Sequence, residues 1–465
     1  MGIFTRLSSC LLIIMPSMDS STTPIGPGSC TMERSTFSQH LKKLKNSIRI
    51  CQRTHEKMPM INSHLFFHQD DNMWRVKPPV TFPKEVKYRP ILENLIPPDP
   101  MARFHLKRGF PQEEFPDLCR NFTWMGRILT LDLYRRQFNR CTQSGVIFDD
   151  VIRPGLEEPG DYLGPVAVGC VAGDAESYIL FCDFFDRVIE AYHEQKITSQ
   201  TPESDLNYDN LKGGDDLDRS YAVRCEVSVV RGIEDFCFPT HCSRGERRRL
   251  LTLARQALQQ LEQELAGRLL LLTDLSQEQQ SELNLKAPTS FQLRIGVARD
   301  WPDARAVWVS ENRSLLVWVN IDEHLRLVSM REDANVAEAF QCICISLQKL
   351  EKYYRGLRHP FIWKQQLGWV TSSPANVGTG LRISVLIKLQ HLPTHKHLKD
   401  VLKRLRINMD KTDSPELYNI SNMATFGFTE VALTQLVVDG VKLLTIMEKR
   451  LEGNLSIDEL VPAQK

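Results

Sequence analysis

The sequence predicts an α+β fold, in which strands joined by short turns pack against long helices. Three short segments rich in β-branched and aromatic residues follow one another closely, as in successive hairpins: residues 306–308, 315–320 and 325–330. Longer segments with apolar residues at helical spacing come after them: residues 336–350, 396–406 and 429–451. Strands and helices do not alternate regularly along the chain, which argues against a βαβ fold.

Length and composition narrow the class of protein. The chain has 465 residues, enough for two to four domains of ordinary size. Hydrophobic residues make up 42% and charged residues 25%, which excludes a wholly disordered chain. The formal net charge of +1 gives no overall attraction to nucleic acid. No apolar run approaches the roughly 20 residues that span a bilayer, so we expect no transmembrane segment.

The cysteine pattern indicates reduced thiols. The twelve cysteines contain no CxxC pair, and no group of histidines accompanies them. A disulfide framework or a zinc site would normally show such spacing. We therefore expect neither, and we expect no nucleic-acid partner.

Residues 1–108 are predicted to form a low-complexity basic arm and linker. Residues 1–110 contain 16 Lys and Arg but 8 Asp and Glu, and residues 17–32 are rich in Ser, Thr, Pro and Gly. Residues 37–51 form a short basic amphipathic segment. It could contact an anionic membrane, a partner or an import receptor, or it could be a frayed surface helix.

The rest of the chain divides into a small helical part and a larger mixed part. Residues 109–200 are predicted to form a helical N-terminal domain, with helices at 129–138 and 175–193. Residues 201–220 are polar and contain glycines, which indicates a linker.

The larger domain is predicted at residues 221–465. Its first strand is expected at 221–230 and a long helix at 244–268.

Eight sequence blocks occur in one collinear order between residues 110 and 465. They read VGCVAGDAESY, DNLKGGDDLD, PTHCSRGERR, ARDWPDAR, LLVWVN, NVGTGLR, LVVDGVKLL and IDELVPAQK. In this order they resemble the phosphagen kinases, and most closely the vertebrate-type cytosolic creatine kinases. The resemblance implies a phosphagen-kinase fold, with a small all-α N-terminal domain and a larger domain of antiparallel sheet flanked by helices. It also implies reversible phosphoryl transfer between Mg-ATP and a guanidino compound such as creatine.

The acidic block of that family, N-E-E-D-H-L-R, reads NIDEHLR here. The resemblance implies that Asp322 orients the guanidino nucleophile and that Glu323 makes a water-mediated magnesium contact. The first carboxylate of the block has become Ile321. Arg326 matches a phosphate-binding arginine. No direct protein ligand to a metal is expected.

The family's cysteine signature, C-P-S-N-L-G-T-G-L-R, reads SPANVGTGLR here. Ser373 replaces the reactive thiolate, and a serine hydroxyl stays neutral near pH 7. Asn376 and Arg382 match the family pattern, and the resemblance implies that both lie on the nucleotide side of the site.

Several arginines of the family are absent. Glu226 and Ser228 stand where the family's strand carries two phosphate-gripping arginines, and Thr425 replaces another arginine. The mobile loop that donates a further arginine corresponds to the shorter segment 409–416. A charge-assisted hydrogen bond is worth roughly 1.5–3 kcal/mol, so we expect Mg-ATP to bind weakly if at all.

The resemblance implies two further contact regions. Ile152 and Leu156 lie in the small-domain loop that faces creatine in the family. Trp301, Arg244 and Arg248 match positions in the family's subunit interface, so we expect a homodimer.

Two functions remain open at this point. The first is a creatine-kinase-like paralogue, catalytically impaired or inactive, that acts by binding and dimerising. The alternative is a working but slow ATP:creatine phosphotransferase that binds ATP, ADP and creatine through Asp322, Arg326 and Arg382. The chain ends in PAQK as cytosolic members do, so we expect a cytoplasmic protein, with mitochondrial import through the basic arm as the alternative.

Overall fold

The structure is a computed structural model that describes residues 109–462, apart from residues 163, 165, 263, 264 and 284. The predicted arm, including its amphipathic segment at 37–51, lies outside the described residues. Within the described part of the chain, no helix is long and apolar enough to cross a bilayer. The cysteines of this part are all free thiols.

The first part of the described chain is helical and has an aromatic core. Its helices are α1 (Pro111–Glu114), α2 (Trp124–Ile128), α3 (Leu131–Gln137), α4 (Phe148–Glu157), α5 (Ser177–Leu180) and α6 (Cys182–His193). The ring of Phe148 lies 5.5 Å from that of Phe181 and 5.1 Å from that of Phe184. Such edge-on and tilted contacts stabilise a small core beyond the area that they bury.

Both helices predicted for this part exist, with different bounds. The helix predicted at 129–138 begins at Leu131, because the Thr130 hydroxyl accepts a hydrogen bond from the Leu133 amide and caps it. The helix predicted at 175–193 is divided at Phe181, whose backbone angles (φ −106°, ψ 27°) leave the helical region.

The second part is built on an eight-stranded antiparallel sheet with the strand order β2-β3-β4-β5-β1-β8-β10-β9. The ten strands are β1 (Ala222–Arg231), β2 (Gly267–Leu271), β3 (Ala306–Ser310), β4 (Leu316–Val319), β5 (Leu325–Arg331), β6 (Trp363–Lys364), β7 (Gly368–Trp369), β8 (Leu381–Lys388), β9 (Ile407–Lys411) and β10 (Leu417–Asn422). Strands β6 and β7 form a separate two-stranded ribbon. The antiparallel sheet and its hairpins confirm the α+β prediction.

The helices of this part are α7 (Arg244–Leu258), α8 (Gln277–Glu282), α9 (Ser290–Arg294), α10 (Val336–Gly356), α11 (Leu398–Leu405) and α12 (Glu430–Glu452). Helices α7, α10, α11 and α12 bury residues in the core on one face of the sheet, whereas the leucines on either side of α8 pack with Val307 and Val309 on the other face. Helix α10 packs on β1 and β5, and helix α12 packs on β8 and β10. Val227 and Ile383 are buried from the sheet side of this core, and Phe340 and Val437 from the helix side. The helices predicted at 336–350, 396–406 and 429–451 are therefore confirmed.

One prediction in this part is wrong. The helix predicted at 244–268 ends at Leu258, and the leucine-rich stretch after it forms β2, which pairs with β3. The first residue of β2 is Gly267, where any Cβ would clash with the carbonyl oxygen of Val309. The segment 409–416 comprises the last three residues of β9 and the turn 412–416 that joins β9 to β10 in a hairpin.

The connector between the two parts is fixed by a buried ion pair. Arg231, at the end of β1, has its Nη2 atom 3.7 Å from the carboxylate of Glu430 at the start of α12. That carboxylate also accepts hydrogen bonds from the Ser204 hydroxyl and the Asp205 amide. The Arg231 guanidinium lies 4.7 Å from the ring centre of Trp369. A buried pair of this kind is costly to break, because each charge would be left unpaired.

Candidate active site

The candidate site lies on the sheet face that α10 and α12 leave uncovered. Along β1, Val227 and Val229 point into the helical core, so alternation directs Glu226 and Ser228 to the opposite face. Ser228 pairs with Arg382 on β8, and Glu226 pairs with Ser384 on the same strand. On the other side of β1, Val230 pairs with Arg326 on β5. The two arginines that the sequence singles out therefore flank β1.

The acidic block forms a loop that is anchored at its first residue. Asn320 has a φ of 57°, and its side-chain amide donates to the carbonyl oxygens of Arg247 and Ala304 at 3.0 and 2.9 Å. The loop leads directly into β5. Both predicted carboxylates of the block, Asp322 and Glu323, are already engaged with the protein.

Asp322 is paired with Arg326. The Nε and Nη2 atoms of the arginine lie 2.7 and 2.5 Å from one carboxylate oxygen, and the other oxygen accepts the Glu323 amide at 3.0 Å. Burial opposes the charge on Arg326, but Asp322, Glu323 and Glu226 more than offset it and raise the pKa of the arginine. The predicted phosphate-binding cation is thus held by an internal anion.

Glu323 is buried and faces the signature loop. It is 3% exposed, and its two oxygens accept the Ser372 hydroxyl at 2.7 Å and the Ser372 amide at 3.2 Å. Burial raises the pKa of this carboxyl to about 7. The contact brings the acidic loop and the signature loop together, but it turns Glu323 away from the role of a magnesium-side carboxylate.

These residues do not fit a magnesium nucleotide well. Magnesium prefers carboxylate oxygens and water, yet Asp322 is occupied by Arg326 and Glu323 by Ser372. Within the described ranges, no group of three His, Cys, Asp or Glu residues could hold a metal ion.

The signature loop is held in place by its own turn and by the small domain. The Ser373 hydroxyl accepts a hydrogen bond from the Ala375 amide at 3.3 Å, and the Asn376 amide donates to the Ser373 carbonyl at 3.0 Å. From the helical part, the Tyr178 hydroxyl donates to the Thr371 carbonyl at 2.9 Å. Ser373 is therefore a turn residue here, as well as the residue in the thiolate position.

Thr425 and His193 complete this attachment. The Thr425 hydroxyl lies 2.9 Å from the Ala375 carbonyl oxygen and 2.7 Å from that of Val377, so these two acceptors share its proton. The His193 ring has its Nε2 atom 3.0 Å from the Pro374 carbonyl oxygen. Burial lowers the pKa of His193 to about 4, so the ring is neutral at pH 7 and donates from Nε2. Thr425, which stands where the family has an arginine, thus forms structural hydrogen bonds of its own.

Arg382 is the more accessible of the two site arginines. Its side chain projects from β8 into solvent, and its Nη2 atom donates to the Ser421 hydroxyl at 3.1 Å. Between Arg382 and Arg326 lie Ser228, which is buried, and Glu226, which is half-buried. The centre of the face therefore carries a negative charge instead of a positive one.

The predicted substrate contacts of the small domain lie in α4. Ile152 is 1% exposed and packs inside the aromatic core, whereas Leu156 is 40% exposed. Of these two residues, only Leu156 presents its side chain to solvent.

The predicted interface residues lie together. Arg244 and Arg248 both bind the Asp303 carboxylate, with their Nε atoms at 2.8 and 3.2 Å. Trp301 is half-buried, and the Arg305 guanidinium lies 4.9 Å from its ring centre.

Sequence reasoning missed several residues that build the site. Ser372, His193 and the Arg231–Glu430 pair all act through contacts between distant parts of the chain. For Arg231 a signal was available, because it is a charged residue that directly follows two valines at the buried end of a strand. No sequence signal marks Ser372, whose partner Glu323 is 49 residues away.

Comparison with known proteins agrees with this fold. The profile of the ATP:guanido phosphotransferase N-terminal domain matches residues 119–190, and that of the C-terminal catalytic domain matches residues 249–451. Human creatine kinase M-type is 42% identical over 367 residues, covering 76% of this chain and 96% of the relative. The chicken (Gallus gallus) creatine kinase M-type is 43% identical over 373 residues, covering 78% and 98%.

Solved structures give the same result. The crystal structure of lombricine kinase superposes with a TM-score of 0.71 at 33% identity, covering 77% of this chain and all of that chain. The duplicated taurocyamine kinase from Schistosoma mansoni with bound transition state analog components gives a TM-score of 0.65 at 25% identity, covering 72% of this chain and 47% of that chain. The chain therefore belongs to the ATP:guanido phosphotransferase family, whose chemistry is phosphoryl transfer between ATP and a guanidino substrate.

Proposed function

We propose that this chain is a catalytically impaired or inactive relative of creatine kinase that acts by binding. The observation that supports this proposal is the pairing of Arg326 with Asp322 beside Glu226, on the face where a nucleotide would lie. Phosphoryl transfer depends on cations gathered around the phosphates, because the transition state spreads negative charge over their oxygens. Of the two site arginines, only Arg382 has no carboxylate partner among the described residues.

The binding energy lost with two phosphate-binding arginines favours severe loss of catalysis over a slight reduction. Arginines at positions 226 and 228 would each contribute a charge-assisted hydrogen bond worth roughly 1.5–3 kcal/mol. Losing both lowers transition-state binding by about 10²–10⁴, before any repulsion from Glu226 is included. The neutral Ser373 hydroxyl and the apolar Ile321 remove two further charges on the guanidino side.

A coupled assay with Mg-ATP and creatine tests this proposal directly. Human creatine kinase M-type, assayed at the same concentration, is the matched control. We expect turnover at least about a thousandfold below the control, following from the lost contacts. Turnover within tenfold of the control would contradict the proposal.

The second candidate is a slow ATP:creatine phosphotransferase. Its support is that Asp322, Arg326 and Arg382 are retained and flank one strand. If this candidate is correct, a small activity persists in purified protein and disappears in Arg382→Met. Calorimetry with Mg-ADP distinguishes the two candidate functions further, because we expect weak or undetectable nucleotide binding if the site is inactive.

We also propose a homodimer of the family type. Trp301, Arg244 and Arg248 support it, because they lie together around Asp303 in a block that matches the family. Light scattering on the full chain should give twice the chain mass of 53.5 kDa. Trp301→Ala should shift the protein towards monomer, whereas Trp363→Ala, at a half-buried tryptophan in the β6–β7 ribbon, should not. A monomeric wild type at micromolar concentration would refute the proposal.

We propose a cytoplasmic location, which the resemblance to cytosolic creatine kinases supports. Imaging of the full chain with a C-terminal tag tests it. Accumulation in mitochondria would favour import through the basic arm instead.

A further inference from the structure

A strongly basic segment lies outside the acidic and signature loops of the candidate site, in a part of the chain that is otherwise acidic. Residues 388–406 contain six Lys and Arg and one Asp, a formal charge of +5. Residues 111–465 contain 42 Lys and Arg and 49 Asp and Glu in all. Without residues 388–406, this part of the chain has 36 Lys and Arg and 48 Asp and Glu, a formal charge of −12. Within residues 111–465, the excess of positive charge is therefore concentrated in these 19 residues.

Five of these cations are exposed, and we call them the basic face: Lys388, Lys396, Lys399, Lys403 and Arg404. None of them takes part in an ion pair among the described residues. Lys399 and Lys403 are four residues apart and so lie on one side of α11, and Lys396 comes two residues before the helix. Asp458 lies close enough to Lys396 for the lysine to lower the pKa of its carboxyl, but neither Lys399 nor Lys403 forms an ion pair within residues 109–462.

The scaffold behind the basic face is well anchored. On the inner side of α11, Leu398 and Val401 are buried. The turn before the helix is capped by Glu448, whose carboxylate accepts the amides of residues 390, 391 and 392 at 2.7–2.8 Å. His397 lies 3.3 Å from the Asp458 carboxylate. The lysines are thus displayed on a backbone whose position is fixed by the core.

The dipole of helix α11 accounts for only part of the basic face. Cations in the last turn of a helix compensate its dipole, which explains Lys403 and Arg404. Lys388 belongs to the end of β8, Lys396 precedes α11, and Lys399 is in its first turn. At the first turn of a helix a cation is unfavourable, so these three charges have no such structural explanation.

We propose that the basic face binds an anionic phospholipid surface peripherally. Clusters of four or more Lys and Arg on an amphipathic helix are typical of surfaces that bind acidic lipids. The apolar side of α11 is used inside the protein, so the attachment is electrostatic and involves no insertion. Residues 388–406 contain no Phe, Tyr or Trp, which disfavours single-stranded nucleic acid, because its bases stack on aromatic rings.

Vesicle co-sedimentation of the full chain tests this proposal. The probe is a vesicle of phosphatidylcholine with about 30 mol% phosphatidylserine, compared with pure phosphatidylcholine. We expect binding only to the acidic vesicles, and weaker binding as salt is raised, because ions screen exposed charges. The variant Lys396→Glu/Lys399→Glu/Lys403→Glu should bind at least about tenfold more weakly. All three side chains are exposed, so its melting temperature should match the wild type.

The matched control is Lys286→Glu/Lys352→Glu/Arg219→Glu, which changes the net charge equally at exposed positions on other elements. It should retain at least half of the wild-type binding. If both triple variants lose vesicle binding equally, only the total charge of the protein matters. If Lys396→Glu/Lys399→Glu/Lys403→Glu binds vesicles as the wild type does, the attachment belongs to the basic arm. Either result overturns the proposal. The proposal is also overturned if the wild type binds no acidic vesicles, whether or not it binds heparin or duplex DNA.

Discussion

The Arg326 guanidinium is held by the carboxylate of Asp322, four residues before it in the chain. Its Nε and Nη2 atoms lie 2.7 and 2.5 Å from the same oxygen, with Asp322 in the loop before β5 and Arg326 on the strand itself. Neither residue is then free for a ligand: a phosphate would have to displace Asp322, and a guanidinium would have to displace Arg326. The two charges that the family uses on different substrates neutralise each other here.

Asp322→Asn should therefore increase anion binding at this face. The pair is partly exposed, at 24% and 29% of the two side chains, so breaking it frees about 1 kcal/mol or less. We expect inorganic tripolyphosphate to bind up to about fivefold more tightly than it binds the wild type, measured by calorimetry at low salt.

The control for this variant lies at the other end of the same strand. Arg331 and Asp333 form a pair of similar exposure, with 2.9 Å between Nη2 and the carboxylate. Asp333→Asn changes the net charge equally but should leave tripolyphosphate binding unchanged. Equal gains in the two variants would show that overall charge, not release of Arg326, governs binding.

Glu226→Arg/Ser228→Arg should improve nucleotide binding without restoring turnover. Two arginines at these positions would lie between Arg326 and Arg382 and could each form charge-assisted hydrogen bonds with phosphate oxygens. We expect Mg-ADP to bind at least about tenfold more tightly by calorimetry. Turnover of Mg-ATP and creatine should remain near the wild-type level, because Ile321 and Ser373 are unchanged.

The control for the double variant is Glu311→Arg/Ser220→Arg, which makes the same charge change at two exposed positions outside β1. Its affinity for Mg-ADP should equal that of the wild type. Substantial turnover in the Glu226→Arg/Ser228→Arg protein would mean that the acidic loop and the thiolate position matter less than proposed.

Thr425→Arg, which restores the residue of the family, should destabilise the protein. Thr425 is 8% exposed, and its hydroxyl serves the carbonyl oxygens of Ala375 and Val377. Removing that donor leaves buried acceptors without a partner, which costs about 1–3 kcal/mol, and the larger side chain must also displace its neighbours. Thermal unfolding should show a melting temperature lower by several degrees.

Two variants at the same position separate the hydroxyl from side-chain size. Thr425→Val keeps the shape but loses the donor, so it should also lower the melting temperature. Thr425→Ser keeps the donor and should melt close to the wild type. If Thr425→Val is as stable as the wild type, the hydroxyl does not fix the signature loop.

The sequence predicts well what local patterns determine. The strands at β3, β4 and β5 and the helices α10 and α12 follow from β-branched runs and helical spacing, because each buries one regular face. The leucines of β2 are ambiguous, since a short apolar run fits either a helix or a buried strand. Their pairing with β3 decides between the two, and pairing is a property of the tertiary fold.

For the site, the motifs locate the substituted positions but not their new contacts. Glu226 and Ser228 can be placed by counting back from the CSRGERR block. The contact between Ser372 and Glu323 joins residues that are 49 positions apart, and the Thr425 contact joins two separate loops. Such contacts depend on which loops the packed domains bring together, and no spacing in the sequence encodes that.

Burial of Glu323 has a definite consequence for the pH dependence of stability. Its pKa is raised to about 7 in the folded protein from an ordinary value near 4.5. The folded state therefore binds more protons than the unfolded state between these two pH values. Its contribution to stability is fully present below about pH 4.5 and is lost as the pH rises to about 7. The buried neutral rings of His193 and His324, with pKa values lowered to about 4, act in the opposite direction.

Comparison of the wild type with Glu323→Gln isolates this group, because both histidines are common to the two proteins. The glutamine can still accept the hydrogen bond from Ser372, so the contact between the loops is kept. Urea unfolding from about pH 4.5 to pH 8 should show the wild type losing up to about 3 kcal/mol relative to the variant by pH 7, and no further change above it. Glu278→Gln, at an exposed carboxyl on α8, should follow the wild-type curve. Parallel curves for the wild type and Glu323→Gln would show that Glu323 is ionised throughout, and that its burial does not control its protonation.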